Sequence, residues 1–413
     1  MSCSEWKEYR LEEVIEEFID YRGRTPKKVN SGIPLITAKI VKSGRINTPN
    51  EFIREEDYES WMTRGIPKKG DVILTTEAPL GEVAQITSNE KIALAQRIIT
   101  LRSNSSLLDN TFLKYLLQSP IMQWRLSERA SGTTVVGIKS SELRKVNVNI
   151  PSLEKQKKIV NILSSLDDKI ELNNEMNKTL DEMAQSIFKR WFVDFEFPNE
   201  DGEPYKSSGG EMVKSELGMI PKGWEVKSLD EIADYLNGLA MQKFRLSEED
   251  TESLPVLKIK ELKQGTTTND SDRCSCNIED KYIINDGDVI FAWSGSLDVR
   301  IWCGGQAGLN QHLFKVTSSN YPKWFYYLWT KRYLDEFIRI AADRATTMGH
   351  IKRSNLSEAK VLVPNCETMI KMGEKLLYLI ELFIEKSIEV KTLVELRDIL
   401  LPNLMSGKIT INS

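Results

Sequence analysis

Trp6-Lys-Glu-Tyr-Arg-Leu11-Glu-Glu-Val14 returns 218 residues later as Trp224-Glu-Val-Lys-Ser-Leu229-Asp-Glu-Ile232. Working outward, Gly70-Asp-Val-Ile-Leu74 returns as Gly287-Asp-Val-Ile-Phe291 and Leu94-Ala-Gln96-Arg97-Ile98 as Leu309-Asn-Gln311-His312-Leu313. Beyond these, Thr133-Thr134, Ile138-Lys139, Leu143 and Pro151 correspond to Thr346-Thr347, Ile351-Lys352, Leu356 and Pro364 at a constant offset of 213. An ordered series of matches whose offset shrinks slowly marks a duplication, with loops of different length in the two copies. The repeated unit is far longer than a solenoid repeat of ~20 to 45 residues, so the chain holds two similar halves related by a pseudo-twofold.

Within each half the character changes at the proline. Before it lie short β-type runs, among them Gly32–Thr37, Asp71–Thr76 and Arg97–Leu101, and one helical stretch over Asn110–Gln118. This predicts a mixed α/β unit. After it, residues 152–191 contain neither Gly nor Pro and place Ile159, Leu163, Leu166, Ile170, Leu180 and Ile187 at helical spacing, which predicts one long amphipathic helix of roughly 60 Å. The second half repeats the pattern with Leu376, Leu379, Phe383, Val390, Leu393 and Leu400, ended by Pro402 and Gly407. Each helix has one stripe to bury, and the economical solution is an antiparallel coiled coil between the two. Asn173 and Asn177 interrupt the first seam, a device that fixes register at a cost in stability. Ordinary bundle helices packed on their own domains are the alternative. The predicted organisation is a globular domain over 1–151, a long helix over 152–197, a Pro/Gly/Ser-rich extended linker over 198–222, a second domain over 223–364 and a second long helix over 365–413.

The net charge of −4, from 56 basic and 60 acidic residues, excludes a protein held to nucleic acid by bulk charge. The charge is nonetheless segregated. Residues 101–150 carry 7 Lys+Arg against 3 Asp+Glu and residues 301–364 carry 9 against 4, whereas 51–100 and 251–300 each carry 6 against 9. No stretch is apolar enough for a membrane span, no secretory signal is evident at the start, and five sparse cysteines fit a reducing cytoplasm.

Two basic, turn-rich segments suit phosphate contact. One holds Arg22, Arg24, Thr25, Lys27 and Lys28; the other runs Gly132-Thr133-Thr134-Val-Val-Gly-Ile-Lys139 and is matched by Thr346-Thr347-Met-Gly-His350-Ile-Lys352-Arg353. A solvated loop leading into a strand is the plainer reading of either copy alone. Catalytic signatures are missing: the sequence has no phosphate-binding GxxxxGK[ST] loop and no HExxH pair, and Glu225-Val-Lys227 and Glu261-Leu-Lys263 are ordinary surface triplets. Cys274-Ser-Cys276, Cys303 and His312 have poor zinc spacing and no counterpart in the first half, so no metal and no cofactor is expected.

The ordered set resembles the specificity subunit of type I restriction-modification enzymes. It comprises two α/β units each closing on Thr-Thr and Ile-Lys, a strand, a Pro and a long helix, together with Phe188-Lys-Arg-Trp191-Phe-Val-Asp194-Phe after the first helix. The resemblance covers nearly the whole chain. It implies a non-catalytic protein in which each globular domain is a target recognition domain reading one half of an asymmetric double-stranded DNA site. The helices would set the spacer and dock two methyltransferase subunits, and a restriction translocase subunit can join. It carries the DNA-facing role to Arg24, Lys27, Lys28, Thr133, Thr134, Lys139, Thr346, Thr347, His350, Lys352 and Arg353. Gln96, Arg97, Gln311 and His312 are further candidates for base-edge contacts. A coiled-coil scaffold that binds only protein is the rival reading, and it leaves the duplicated basic loops unexplained.

Overall fold

A computed structural model describes residues 6–246, 252–343 and 349–409. The chain divides into two compact units, one built from Met1–Asp168 with Val394–Ser413 and the other from Lys169–Leu393.

In the first unit the strands Ile15–Asp20, Ile98–Ser103, Val72–Thr76 and Leu80–Gln85 form an antiparallel sheet in that order. Val72–Thr76 is buried along its whole length because both faces of the sheet are covered. Side chains alternate across a strand, so Val72 and Leu74 enter one core with Phe112, Leu113 and Leu116, while Ile73 enters another with Ile19, Leu35 and Leu94. The helix Asn110–Gln118 that covers the first face starts at Asp109, whose carboxylate accepts the backbone N–H groups of Thr111 and Phe112 at 2.8 and 2.9 Å. A small sheet places Ile33–Ile36 between antiparallel Phe52–Ile53 and parallel Ala93–Leu94. Lys7–Arg10 pairs with Asn147–Ile150.

The second unit repeats the main plan, with Ile283–Ile284 added to its small sheet and, among the described residues, no counterpart of the first unit's Val41–Lys42 and Arg45–Ile46 pair. Asp234–Asn237, Leu313–Thr317, Val289–Ala292 and Asp298–Ile301 form the four-stranded sheet. Ser253–Leu257 lies between antiparallel Arg273–Ser275 and parallel Ala307–Leu309, and Glu225–Ser228 pairs with Lys360–Val363. The sequence repeat is therefore a repeat of topology.

The long helices run over Leu153–Phe188, with a wider π turn at Lys189–Val193, and over Cys366–Met405. In the first unit Ile159 and Leu163 share a core with Leu404 and Met405, and Asp167 meets Arg397 at 3.2 Å. In the second unit Lys169 meets Glu389 at 3.4 Å, Asn177 donates to Ser387 at 3.1 Å, and Leu180 and Ala184 share a core with Met372, Leu376 and Leu379. Residue numbers rise along one helix as they fall along the other, so the pairing is antiparallel. Ile159, Leu163, Ile170, Leu180, Leu376 and Leu379 are buried, while Leu166, Ile187, Phe383, Val390, Leu393 and Leu400 are half-buried. The helices also share these cores with the sheets and helices of the units, so the seam and the bundle readings both describe part of the packing. Asn173 is fully buried; its amide makes no well-formed hydrogen bond among the described residues and only leans on the Glu389 carboxylate.

Two expectations are corrected. Pro402 does not end the second helix, which continues through its last turn to Met405. Burial of Leu404 and Met405 holds that turn against the proline's missing N–H. Gly407, at φ 71°, closes the end, and a Cβ there would lie 2.7 Å from Trp6 Nε1. Residues 198–222 are not an extended tether either. Met212–Ser215 and Gly218–Pro221 form a hairpin, and Phe197 and Ile220 are buried with Trp224 in the second unit's core, which supplies more apolar contact than the Gly and Pro content suggests.

Candidate nucleic-acid interface

One end of the first unit's sheet gathers residues from four separate stretches. Strand pairing sets Ile98 opposite Thr75 and Ile99 opposite Asp20, so the chain leaves or enters the sheet there at Tyr21-Arg22, at Thr76-Glu77 and at Gln96-Arg97. The loop 131–137 closes onto the same end. Ser131 and Gly137 exchange backbone hydrogen bonds at 2.8 and 3.1 Å, Gly137 bridges to Glu77, and the Ile138 N–H donates to the Thr76 carbonyl at 2.9 Å. Arg22 donates from Nη2 to the Ile138 carbonyl at 2.7 Å, tying the first basic segment to this loop. Residues 132–136, including Thr133 and Thr134, are exposed, and Arg97 forms an ion pair with Glu77, Nε lying 3.0 Å from Oε1. A Cβ on Gly137 would lie 2.9 Å from the Thr76 oxygen, so glycine is what lets the loop return so close.

The second unit builds the same end from different side chains. Ala292 lies opposite Leu313, placing Trp293-Ser294 and Gln311-His312 where Thr76-Glu77 and Gln96-Arg97 stand in the first unit. The returning loop again docks here, with a bridge between Ser294 and His350, and Ile351 N–H donating to the Trp293 carbonyl at 3.1 Å. Ser294 Oγ and His312 Nδ1 share a hydrogen bond of 3.0 Å, Trp293 Nε1 donates to Asn237 Oδ1 at 3.0 Å, and the Trp293 ring lies 6.3 Å from both imidazoles. Thr346 and Thr347 lie outside the described residues. Glu77, Trp293, Ser294 and Asn237 were not singled out by the sequence reading. Extending the Gly-Asp-Val-Ile match by a few residues would have reached three of them.

Lys139 and Lys352 occupy equivalent places, each the residue before a short helix, Ser140–Arg144 and Arg353–Glu358. Both are exposed, and neither makes an ion pair among the described residues. Arg353 is turned inward, donating to the Tyr235 carbonyl at 3.0 Å with its guanidinium 5.7 Å over Phe314. The 22–28 segment is divided. Thr25 and Lys27 are exposed and Arg24 lies 5.7 Å over the Trp61 ring, but Lys28 is paired with Glu51 at 2.6 Å. The local basic excess is likewise smaller than its count. Arg102 holds Asp71 at 2.7 Å and also meets Glu17, Lys114 holds Asp167 at 3.0 Å, and Arg129 and Lys145 share Glu142. In the second unit Lys315 and Lys331 are neutralised by Asp288 and Asp181.

The sulfur atoms do not converge. Cys274 packs with Met241 and Val256 while Cys303 lies in a different core, where burial pushes its thiol up to about 11. Glu261, one of the carboxylates in a Glu-x-Lys triplet, caps its own helix by accepting the Lys258 N–H at 3.3 Å.

The model of the type I restriction modification DNA specificity domain matches residues 3–182 and again 221–392. The chain belongs to that family. It is 28% identical over 393 residues to the MjaIX specificity subunit of Methanocaldococcus jannaschii, covering 92% of this chain and 87% of that protein. It is also 22% identical to the HindI specificity subunit of Haemophilus influenzae, over 98% of this chain and 100% of that one. The fold matches a solved S subunit of a type I restriction-modification system from M. genitalium, with a TM-score of 0.57 at 16% identity over 97% of this chain and 96% of that one. The chain is thus a DNA-specificity subunit of a type I restriction-modification complex and not a catalytic one, and its duplicated sheet ends are the type I specificity chain's candidate recognition faces. Among the described residues no helix is long and apolar enough to cross a membrane.

Proposed function

We propose that each unit of this specificity chain reads one half of a bipartite, asymmetric double-stranded DNA site through the sheet end described above. The paired helices would set the spacer and dock two methyltransferase subunits, which a restriction translocase subunit can join. The observation that carries the reading is the same face built twice, with Ile138 and Ile351 making equivalent backbone hydrogen bonds to Thr76 and Trp293 and with different side chains around them. A shared frame positions both faces alike on a duplex, while unlike tips select unlike sequences. On this reading residues 1–151 and 223–364 are the recognition domains. Lys139, Lys352, Thr133 and Thr134 meet phosphates, and Gln96, Arg97, Gln311, His312 and His350 face base edges.

Because so many cations are already paired with carboxylates, the isolated chain binds DNA weakly and its methyltransferase partners supply much of the affinity. Four free thiols among the described residues support an assembly that works in the cytoplasm. The test is methylation mapping of random-sequence DNA exposed to the chain reconstituted with its methyltransferase partner. A single bipartite motif with two different halves is the expected result; modification without sequence preference would reject the reading.

A further inference from the structure

We propose that Arg97 is the side chain through which the first unit selects a guanine, that Glu77 is its positioning residue, and that the second unit makes a different choice at the equivalent place. The inference rests on reading the sheet ends as the DNA faces, and it adds a base identity and a division of labour between two side chains.

Arg97 stands immediately before the strand Ile98–Ser103, and its side chain is 49% exposed. Among the described residues its one charged partner is Glu77, with Nε 3.0 Å from one carboxylate oxygen. Nη1 and Nη2 have no hydrogen-bond partner among the described residues. A carboxylate beside Nε holds the guanidinium electrostatically at its inner edge and leaves the two terminal nitrogens as a paired donor fork. Guanine is the base that offers two adjacent acceptors, O6 and N7, on its major-groove edge, and such a fork matches them.

Glu77 is itself held. It is the residue that bridges to Gly137 of the returning loop, where an added Cβ would come within 2.9 Å of the Glu77 Cβ. An exposed ion pair of this kind contributes little to folding stability, so stability alone does not account for it. Arg97 moreover sits at φ 74°, a left-handed backbone conformation that disfavours a residue with a Cβ. The chain thus accepts local strain at a half-exposed residue whose terminal nitrogens have no partner among the described residues.

In the second unit the corresponding pair is Ser294 and His312. The imidazole Nδ1 is engaged by Ser294 Oγ at 3.0 Å, and Nε2 lies 3.4 Å from Gln311 Nε2. Both ring nitrogens are occupied and the ring has no donor fork. The guanine choice therefore belongs to one half of the site.

The experiment is methylation mapping on a random-sequence library with the complete complex, comparing the wild type with Arg97→Ala, Arg97→Lys and Glu77→Ala. Arg97→Lys keeps the positive charge but cannot present the planar fork, which guards against a variant that simply unfolds. In both Arg97 variants discrimination for guanine at one base pair of one half-site should fall by about ten- to a hundred-fold, with the other half unchanged. Glu77→Ala should relax the same base pair and no other, and Glu77→Ala with Arg97→Ala together should relax it no further than Arg97→Ala alone, as expected of a residue acting through another. Three results would overturn the inference: an unaltered motif, loss of preference in both halves, or a uniform loss at all sequences with a salt slope lowered by about one, which marks a phosphate contact. If the wild-type complex shows no bipartite motif at all, the reading of the faces falls, and this inference with it.

Discussion

Replacing Asp167 with alanine removes an acceptor that three side chains share. Its carboxylate receives Tyr115 Oη at 2.7 Å and Lys114 Nζ at 3.0 Å on one oxygen and Arg397 Nη1 at 3.2 Å on the other. These contacts join the helix Asn110–Gln118 to both long helices within the first unit. Burial pushes the Asp167 carboxyl up, but Lys114, the Tyr115 hydroxyl and Arg397 outweigh it and hold it below the usual carboxylate range. Tyr115 is raised, by burial first and by Asp167 next, so its hydroxyl stays protonated and donating. In the variant the Tyr115 hydroxyl loses its acceptor at a cost of about 1 to 3 kcal/mol. Lys114, whose side chain is only 12% exposed, loses its counter-ion at a cost of about 2 kcal/mol, a value below that of a fully buried pair because Asp167 keeps some access to water. Arg397 keeps Asp398 at 2.9 Å and adds little. The total is about 3 to 5 kcal/mol, or a fall in melting temperature of the order of 10 °C for the first unit, read by calorimetry. Asp167→Asn keeps one acceptor oxygen and should lose about half as much. The depressed folded pKa means this stabilisation is complete above the unfolded value of ~3.9 and is lost as pH falls through the folded pKa; Asp167→Asn should remove that part of the acid limb. A transition in Asp167→Ala within a degree of the wild type, or an acid limb unchanged in Asp167→Asn, would refute the reasoning.

Lys139→Ala and Lys352→Ala should each weaken DNA binding by the complete complex evenly across sequences and lower the salt slope by about one; titrations at several salt concentrations that return the wild-type slope would take these residues out of the interface. Asn173→Leu exchanges a buried, poorly bonded amide for an apolar side chain and should stabilise the second unit by about 1 to 3 kcal/mol in denaturant titration, an expectation contradicted by a lower midpoint. Gly407→Ala meets both a left-handed backbone and Trp6, and should destabilise the first unit by about 1 to 3 kcal/mol; equal melting curves would show that the turn can re-form elsewhere.

The duplication, the α/β units and the antiparallel helices were legible because each leaves a periodic or repeated trace: Leu163, Ile170 and Leu180 recur at helical spacing, and Gly-Asp-Val-Ile marks the same strand twice. What was not legible depends on chain segments meeting only in the fold. Glu77 and Arg97 are twenty residues apart and gain meaning as a pair when two neighbouring strands end side by side. The basic excess of residues 101–150 counted Arg102 and Lys114 as available, whereas Asp71 and Asp167 arrive from outside that window to neutralise them. At Pro402 local propensity favoured a stop, and burial of the two apolar residues beyond it prevailed.

The division of the chain also sets an order of assembly. The second unit is one continuous stretch, Lys169–Leu393, but the first needs Val394–Ser413, whose Leu404 and Met405 complete a core begun by Leu11 and Val14. The core of the earlier-made unit is therefore completed only after the whole second unit has been synthesised. More than two hundred residues separate Asp168 from Leu404, and a chain interrupted before Leu404 lacks the two buried side chains that this core takes from the second helix.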